Sequence, residues 1–193
     1  MLSDRFMHST YLIRKKILSL FGSKFHIYDP NGGLLFYSKM KPFRLREDIR
    51  LYTGEDMQDE VLSIKARTMF DFSTAYDVID SKTIEKVGTI KRKGFKSVLR
   101  DEWIFMDAED REIGFIREDS MLFAFLRRFL TNRIPQEYHG FINGTRVSTF
   151  KQNFNPFVLK IRADFSEDVK GLFDKRLGIA AAVLLCGIEG RQK

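Results

Sequence analysis

A run of twelve apolar residues near the carboxyl end, from Leu177 to Ile188, restricts the possible folds of this chain more than any other feature. Read as a helix beginning near Phe173, this run has no polar face, and a helix that is apolar on every side has to be buried on every side. At about 1.5 Å per residue it would be roughly 18 Å long, whereas the hydrocarbon core of a bilayer is about 30 Å thick. The helix is therefore expected inside the protein and not across a membrane.

Most of the remaining sequence has the pattern of short strands joined by tight turns. Asn-Gly pairs at 31–32 and 143–144 each separate two apolar segments, and this dipeptide favours the positive φ angles of a primed hairpin turn. Segments 76–91 and 103–117 resemble each other, since each has an aromatic-led strand, an acidic turn and a return strand containing glycine. The pattern predicts a meander of antiparallel hairpins, each too small to bury its own apolar face.

A closed antiparallel barrel around the apolar helix would bury both the hairpins and the helix. The small side chains of Gly178 and of 180–182 would keep the helix thin enough for a barrel lumen, and closure removes the sheet edges that promote aggregation. A second helix, amphipathic, is predicted from about Met121 to Asn132, before Pro135. The expected fold is mainly β (α+β), in a single domain over 1–193 of which 1–10 is a candidate arm.

The charge balance indicates the class of partner. The chain has 33 basic and 26 acidic residues, a net charge of +7, and an isoelectric point near 9.5. This excess favours an anionic partner, either nucleic acid or a membrane surface, without choosing between them. The start of the chain has no secretory signal pattern. We therefore expect a cytoplasmic protein, in peripheral contact at most with the inner face of the membrane.

Catalytic and metal-binding patterns find little support. One cysteine and three histidines exclude a disulfide framework and a cysteine-rich zinc site, and Cys186 within the apolar run is expected to be a buried hydrophobe. There is no P-loop, nucleophile elbow, His-Glu-x-x-His or Cys-x-x-Cys motif. Asp164, Glu167 and Asp168 lack the spacing of a calcium loop and are expected to cap the final helix. We expect no enzyme activity, no metal and no cofactor.

Two basic clusters are candidate sites for an anionic ligand. The denser one surrounds a glycine and an aromatic residue, where the backbone can approach a phosphate while Lys and Arg supply charge and hydrogen bonds. The other lies near the end of the amphipathic helix, where basic residues are also expected from the helix dipole alone. An ordinary solvated surface remains the alternative interpretation of both clusters. The candidate residues are Lys91, Arg92, Lys93, Lys96, Arg100, Arg127 and Arg128.

Two further basic stretches are interpreted more simply. Residues 39–46 alternate as on the outer face of a strand, and an ordinary polar exterior accounts for them. Arg14-Lys15-Lys16 lies between apolar pairs and fits either a peripheral membrane contact or an ordinary first strand.

Four segments carry a resemblance to a known family: Tyr28–Phe36, Val87–Gly94, Arg100–Trp103 with Glu112–Asp119, and Asp174–Gln192. In these segments the chain resembles the tubby C-terminal-like superfamily, and in particular the LURP-one-related proteins, over about 11–192. The resemblance implies a barrel of about twelve strands around a central C-terminal helix. The calcium-binding segment and the cysteine-rich stretch of the related phospholipid scramblases have no counterpart here.

The resemblance and the charge together suggest a non-enzymatic module that binds anionic phospholipid or phosphoinositide head groups. A nucleic-acid-binding or transcription-linked protein is the alternative, although the sequence contains no helix-turn-helix, RNP motif or zinc finger. A protein-interaction scaffold also remains open. A carrier of small molecules is disfavoured, because a helix that fills the lumen leaves no room for a ligand.

Overall fold

The fold is described from a computed structural model in residues 3–16, 23–40, 48–67, 74–93, 102–118, 136–153, 155 and 158–188. Within these ranges a short 3₁₀ helix (Ser3–Phe6) precedes twelve strands and one α-helix, α1 (Lys175–Ile188). The strands are β1 (Thr10–Lys16), β2 (Ser23–Tyr28), β3 (Leu34–Met40), β4 (Ile49–Tyr52), β5 (Glu60–Ala66), β6 (Ala75–Asp80), β7 (Lys86–Arg92), β8 (Glu102–Met106), β9 (Glu112–Glu118), β10 (Glu137–Ile142), β11 (Thr145–Gln152) and β12 (Val158–Asp164).

The twelve strands form one closed antiparallel barrel with an up-and-down order. Every strand pairs with the strand before it and the strand after it, and β1 pairs with β12 to close the sheet. This closing pair is in register along the whole of β1, from Thr10 opposite Asp164 to Lys16 opposite Val158. The predicted mainly β barrel is confirmed, and closure leaves no exposed sheet edge in the described part of the chain.

Helix α1 occupies the lumen of the barrel. Residues 177–187 are all buried, in agreement with a helix that has no polar face. The helix contacts β1 and β12 on one side, and β6 and β7, which lie on the opposite side of the barrel. A helix that touches opposite walls and exposes none of this segment is enclosed by the sheet, as the sequence predicts. Among the described residues, no helix is long and apolar enough to cross a bilayer.

The free backbone N–H groups at the start of α1 and the free carbonyl groups at its end have different hydrogen-bond partners. At the start, the Asp174 carboxylate accepts the backbone N–H of Arg176 at 2.8 Å, so Asp174 is the N-cap. The prediction that Asp164, Glu167 and Asp168 cap this helix is wrong. Asp168 accepts the N–H groups of residues 172 and 173 and Asp164 that of residue 166, so these two carboxylates organise the preceding turns.

At the other end of α1, the buried Lys15 ammonium donates to the carbonyl of Gly187 at 3.2 Å and lies 3.5 Å from that of Cys186. A cation at this end of a helix is favoured by the helix dipole. The hydrogen bonds therefore attach the end of α1 to the inner wall of β1.

The hairpin turns differ at the two Asn-Gly pairs. Asn143 and Gly144 both have positive φ angles, 48° and 77°, as the primed turn requires. At the first pair only Gly32 does, at 87°, because the Asp29 carboxylate accepts the N–H groups of residues 31 and 33 and builds a longer turn. Both hairpins form as predicted, but the primed turn is wrong for the first.

Two glycines on return strands lie at close backbone contacts. A Cβ atom at Gly114 would lie 1.9 Å from the carbonyl oxygen of Phe141, and one at Gly88 would lie 2.4 Å from that of Met106. These positions therefore require glycine for close packing. The amphipathic helix predicted for 121–132 lies outside the described residues.

Candidate functional site

One end of the barrel is strongly acidic. Its connections are the segments 29–33, 53–59, 81–85, 107–111, 143–144 and 165–174, all of which belong to the described residues. Together these segments, called the acidic end below, contain eleven acidic and three basic residues, a net charge of −8. Because the whole chain carries +7, the rest of the molecule carries +15. The net charge of this end is therefore opposite in sign to the net charge of the rest of the chain.

An ion-pair network ties one turn of the acidic end to the outer wall of β6 and β7. The Arg67 guanidinium donates to Asp77 at 2.6 Å and to Asp110 at 2.8 Å, and Lys86 donates to Asp110 at 2.6 Å. The buried Thr89 hydroxyl lies within hydrogen-bond distance of both carboxylates. Hydrogen bonds from Lys86 and Arg67 hold the pKa of Asp110 well below its usual range. The network contains two cations and two carboxylates and is best explained as structural.

Basic side chains collect on a different part of the barrel, the outer face of the five consecutive strands β11, β12, β1, β2 and β3. The outward direction follows from strand alternation, because residues 13, 25, 159 and 161 between them are buried in the core. We call this surface the basic wall; its residues are Arg14, Lys24, Lys39, Lys151, Lys160 and Arg162.

The register of the sheet places like charges directly opposite each other three times on the basic wall. Arg14 faces Lys160, Lys24 faces Lys39, and Lys151 faces Arg162. Like charges in directly opposed cross-strand pairs are destabilising. A fold that keeps three such pairs on neighbouring strands therefore concentrates charge at some expense in stability.

Nearby carboxylates neutralise this surface only in part. Glu137 lies 3.3 Å from Lys151, and Asp164 lies 3.8 Å from Arg162. No carboxylate of the described residues lies within ion-pair distance of the remaining four, which are Arg14, Lys24, Lys39 and Lys160. The basic wall therefore carries a net positive charge that faces outward.

A shallow hollow lies on the basic wall between β12, β1 and β2, lined by Arg14, His26, Tyr28 and Val158. The Arg14 guanidinium lies 5.8 Å above the ring of Tyr28, and the ring of His26 stacks beside that of Tyr28 with centroids 6.1 Å apart. The imidazole Nε2 is 3.0 Å from a carboxylate oxygen of Glu55 on the side away from Arg14's strand. Stacking and hydrogen bonding thus fix the side chains around the hollow.

The structure separates the described members of the predicted cluster around residues 91–93. Lys91 lies on the outer face of β7, and Lys93, directly after β7, pairs with Glu102. Arg92 points inward, with its guanidinium 5.7 Å above the ring of the buried Trp103. Strand β7 is also six strands from β1 in either direction around the barrel, so Lys91 and Lys93 lie on the wall opposite Arg14.

The remaining predicted site residues are Lys96, Arg100, Arg127 and Arg128, and they lie outside the described residues. Arg14 and Lys39 belong to the two basic stretches that were given the simpler interpretation, and Lys24, Lys151, Lys160 and Arg162 belong to neither candidate cluster. The signal that could have found Lys160 and Arg162 is their alternation with apolar residues on one strand.

Comparisons with known proteins support the fold. No protein-family model matches the sequence, and no curated protein matches it significantly. Among solved structures, the chain is similar to the X-ray structure of the Arabidopsis thaliana protein AT5G01750, with 16% sequence identity and a TM-score of 0.50. The match covers 99% of this chain and 99% of that chain. At this level of identity the similarity shows a shared fold over the full length.

Proposed function

We propose that this protein is a non-enzymatic binding module that contacts an anionic phospholipid surface through its basic wall. The observation that carries the proposal is the set of three like-charge pairs, Arg14–Lys160, Lys24–Lys39 and Lys151–Arg162. Each pair opposes folding slightly and would be favourable against a surface of negative charge, where each basic residue contributes about 1 kcal/mol.

The charge distribution supports a defined orientation at such a surface. The acidic end carries −8, and the basic wall lies on the sides of strands leading away from it. An anionic membrane attracts the basic wall and repels the acidic end, so the barrel would bind with the acidic end turned away. Contact would be peripheral, through side chains on the outside of the barrel.

The outer surface is also where the fold leaves room for a ligand. The lumen is filled by α1, whose residues 177–187 are buried against the inner wall. This arrangement favours a surface-binding role over a carrier that encloses its ligand. The sequence resemblance to the tubby-like and LURP-one-related proteins points to the same class of ligand, and assignment to that family remains a prediction.

Vesicle co-sedimentation tests the proposal. The protein should bind vesicles that contain phosphatidylserine and should not bind vesicles of phosphatidylcholine alone. Binding should weaken as salt is raised, because salt screens exposed charges beyond about 10 Å at 0.1 M. Equal binding to both vesicles, or binding to neither, would refute the proposal.

Two matched triple variants locate the contact surface. Replacing Lys24, Lys39 and Lys160 by glutamine removes three charges of the basic wall and should weaken vesicle binding roughly 100-fold, at about 1 kcal/mol per charge. The same variant should be at least as stable as wild type, because it relieves two like-charge pairs. Its folding is checked by thermal unfolding.

The control variant removes three charges that lie outside the basic wall, Lys91 on β7, Lys93 just after β7, and Arg117 on β9. Its binding should change little. Loss of binding in the control alone would move the contact to the cluster predicted from the sequence around Lys91 and would refute the basic-wall assignment.

Nucleic acid would be attracted by the same positive charge, so nucleic-acid binding is the alternative function to be tested. A gel-shift titration with duplex and single-stranded oligonucleotides distinguishes the two. Tight, steeply salt-dependent binding of nucleic acid by a protein that ignores anionic vesicles would replace the membrane proposal.

A further inference from the structure

We infer that the hollow lined by Arg14, His26, Tyr28 and Val158 is a subsite for a phosphomonoester group, which gives the basic wall a preference for one head-group chemistry. This inference rests on the proposed function when the group belongs to a lipid, but the same chemistry applies to a soluble phosphomonoester. A monoester differs from the diester of an ordinary head group in having three terminal oxygens and up to two negative charges.

Arg14 is the residue that would recognise such a group. Its guanidinium is held above the ring of Tyr28 at 5.8 Å, an arrangement that fixes the plane of the fork by a cation–π contact. Within the described ranges this guanidinium has no hydrogen-bond or ion-pair partner, and the Arg14 side chain lines the hollow. A planar fork of this kind donates two parallel hydrogen bonds to phosphate oxygens.

The surroundings of Arg14 provide the rest of the site. Lys160 lies directly opposite Arg14 on β12 and adds a second positive charge beside the hollow. Tyr28 presents a phenol at the hollow, and no described residue hydrogen-bonds its hydroxyl. Val158 forms the apolar border. Two cations and a hydroxyl donor around one hollow suit a group with three oxygens and more than one charge.

His26 serves as the fixed wall of this site. It stacks beside Tyr28, packs edge-on against Tyr37 with ring centroids 5.1 Å apart, and contacts Glu55 through Nε2. These contacts hold the ring in place. Glu55 belongs to the connection between β4 and β5, and in the sheet order these strands and β1 lie on opposite sides of β2. The hollow therefore keeps its basic character on the side of Arg14 and Lys160.

The experiment compares wild type with two charge-conserving variants, Arg14→Lys and Arg162→Lys. Arg162 is the matched control because it lies on the same wall, is exposed, and is not part of the hollow. Vesicles containing phosphatidic acid, a monoester, are compared with phosphatidylserine vesicles, a diester, at equal zeta potential. Wild type and the Arg162→Lys variant should prefer phosphatidic acid by about tenfold. The Arg14→Lys variant should bind both vesicles equally, at the level of wild type on phosphatidylserine.

A second experiment, with soluble ligands, distinguishes a lipid head group from a free phosphomonoester as the ligand. Glycerol 3-phosphate, inorganic phosphate and glycerophosphocholine are titrated calorimetrically into wild type and both variants. Monoester binding that the diester does not show, and that Arg14→Lys abolishes, supports the subsite for a free ligand. A preference seen only on vesicles supports it for a lipid.

Other outcomes refute the subsite independently of the proposed function. If wild type binds phosphatidylserine in a salt-sensitive way but shows no monoester preference in either arm, the subsite is refuted and the membrane proposal stands. If wild type ignores all vesicles, the membrane proposal fails, and the subsite stands or falls on the glycerol 3-phosphate titration. The subsite is also refuted if Arg14→Lys and Arg162→Lys show the same preference between phosphatidic acid and phosphatidylserine vesicles.

Discussion

Replacing Gly178 by alanine tests whether α1 is held inside the barrel. Intrinsic helix propensity alone predicts that this change stabilises the helix by about 1 kcal/mol. The structure predicts the opposite sign, because the new Cβ atom would lie 2.4 and 2.7 Å from carbon atoms of the Phe165 ring and 2.8 Å from the Phe173 ring. Distances this short require the rings to move.

The two rings have little space to move. Both are nearly fully buried, and their centroids are 6.0 Å apart. Phe173 also packs against Phe105 at 4.7 Å, and Phe165 against Phe150 at 6.1 Å. Overpacking of a tight core typically destabilises by about 1–3 kcal/mol. After subtraction of the propensity gain of about 1 kcal/mol, we expect Gly178→Ala to lower the free energy of unfolding by up to about 2 kcal/mol.

Urea unfolding measures this change, with the fluorescence of Trp103 as the probe, since it is the single tryptophan and is buried in the folded protein. The midpoint should fall while the denaturant slope stays constant. In a Phe165→Leu background the clash is reduced, so Gly178→Ala should there be neutral or stabilising, and the double-mutant cycle should show a coupling. If Gly178→Ala in the otherwise wild-type protein increases the free energy of unfolding by the full propensity gain, the enclosure of α1 is contradicted.

Two further predictions concern titratable groups. Because the pKa values of Asp77 and Asp110 are lowered in the folded protein, their contribution to stability is present above the ordinary aspartate pKa of about 4 and is lost as the pH falls below it. Asp110→Asn should therefore flatten the acid limb of a plot of unfolding free energy against pH, and an unchanged limb would contradict the Arg67 network. Burial raises the pKa of the Cys186 thiol to about 12, so a thiol reagent at pH 8 should label it only after unfolding; immediate labelling of the folded protein would show that the thiol is accessible.

The local patterns of the sequence predicted much of the architecture. The hairpins at 31–32 and 143–144, the similar units at 76–91 and 103–117, and the burial of 177–187 are all consequences of turn chemistry and of periodicity in apolar residues. These signals act between neighbours along the chain. The predicted start of α1, near Phe173, is two residues before the observed start at Lys175. Several acidic residues nearby could have capped the helix, and only the local geometry shows that Asp174 does so.

The residues of the basic wall could not be predicted from local sequence patterns. A run such as Lys91-Arg92-Lys93 is conspicuous in sequence, but in a strand its members alternate between the outside and the inside of the barrel. The basic wall, in contrast, joins residues from strands far apart in the chain. Arg14 and Lys160 are brought together only because β1 closes the barrel against β12.

What the sequence determined by itself is the need for a closed sheet, because a helix apolar on all sides has a low free energy only when other apolar groups surround it completely. What the tertiary structure decided is which charges become neighbours. That choice depends on the register of each strand pair and on the closure of the barrel, and a shift of one residue would turn each outward cation to the inner face.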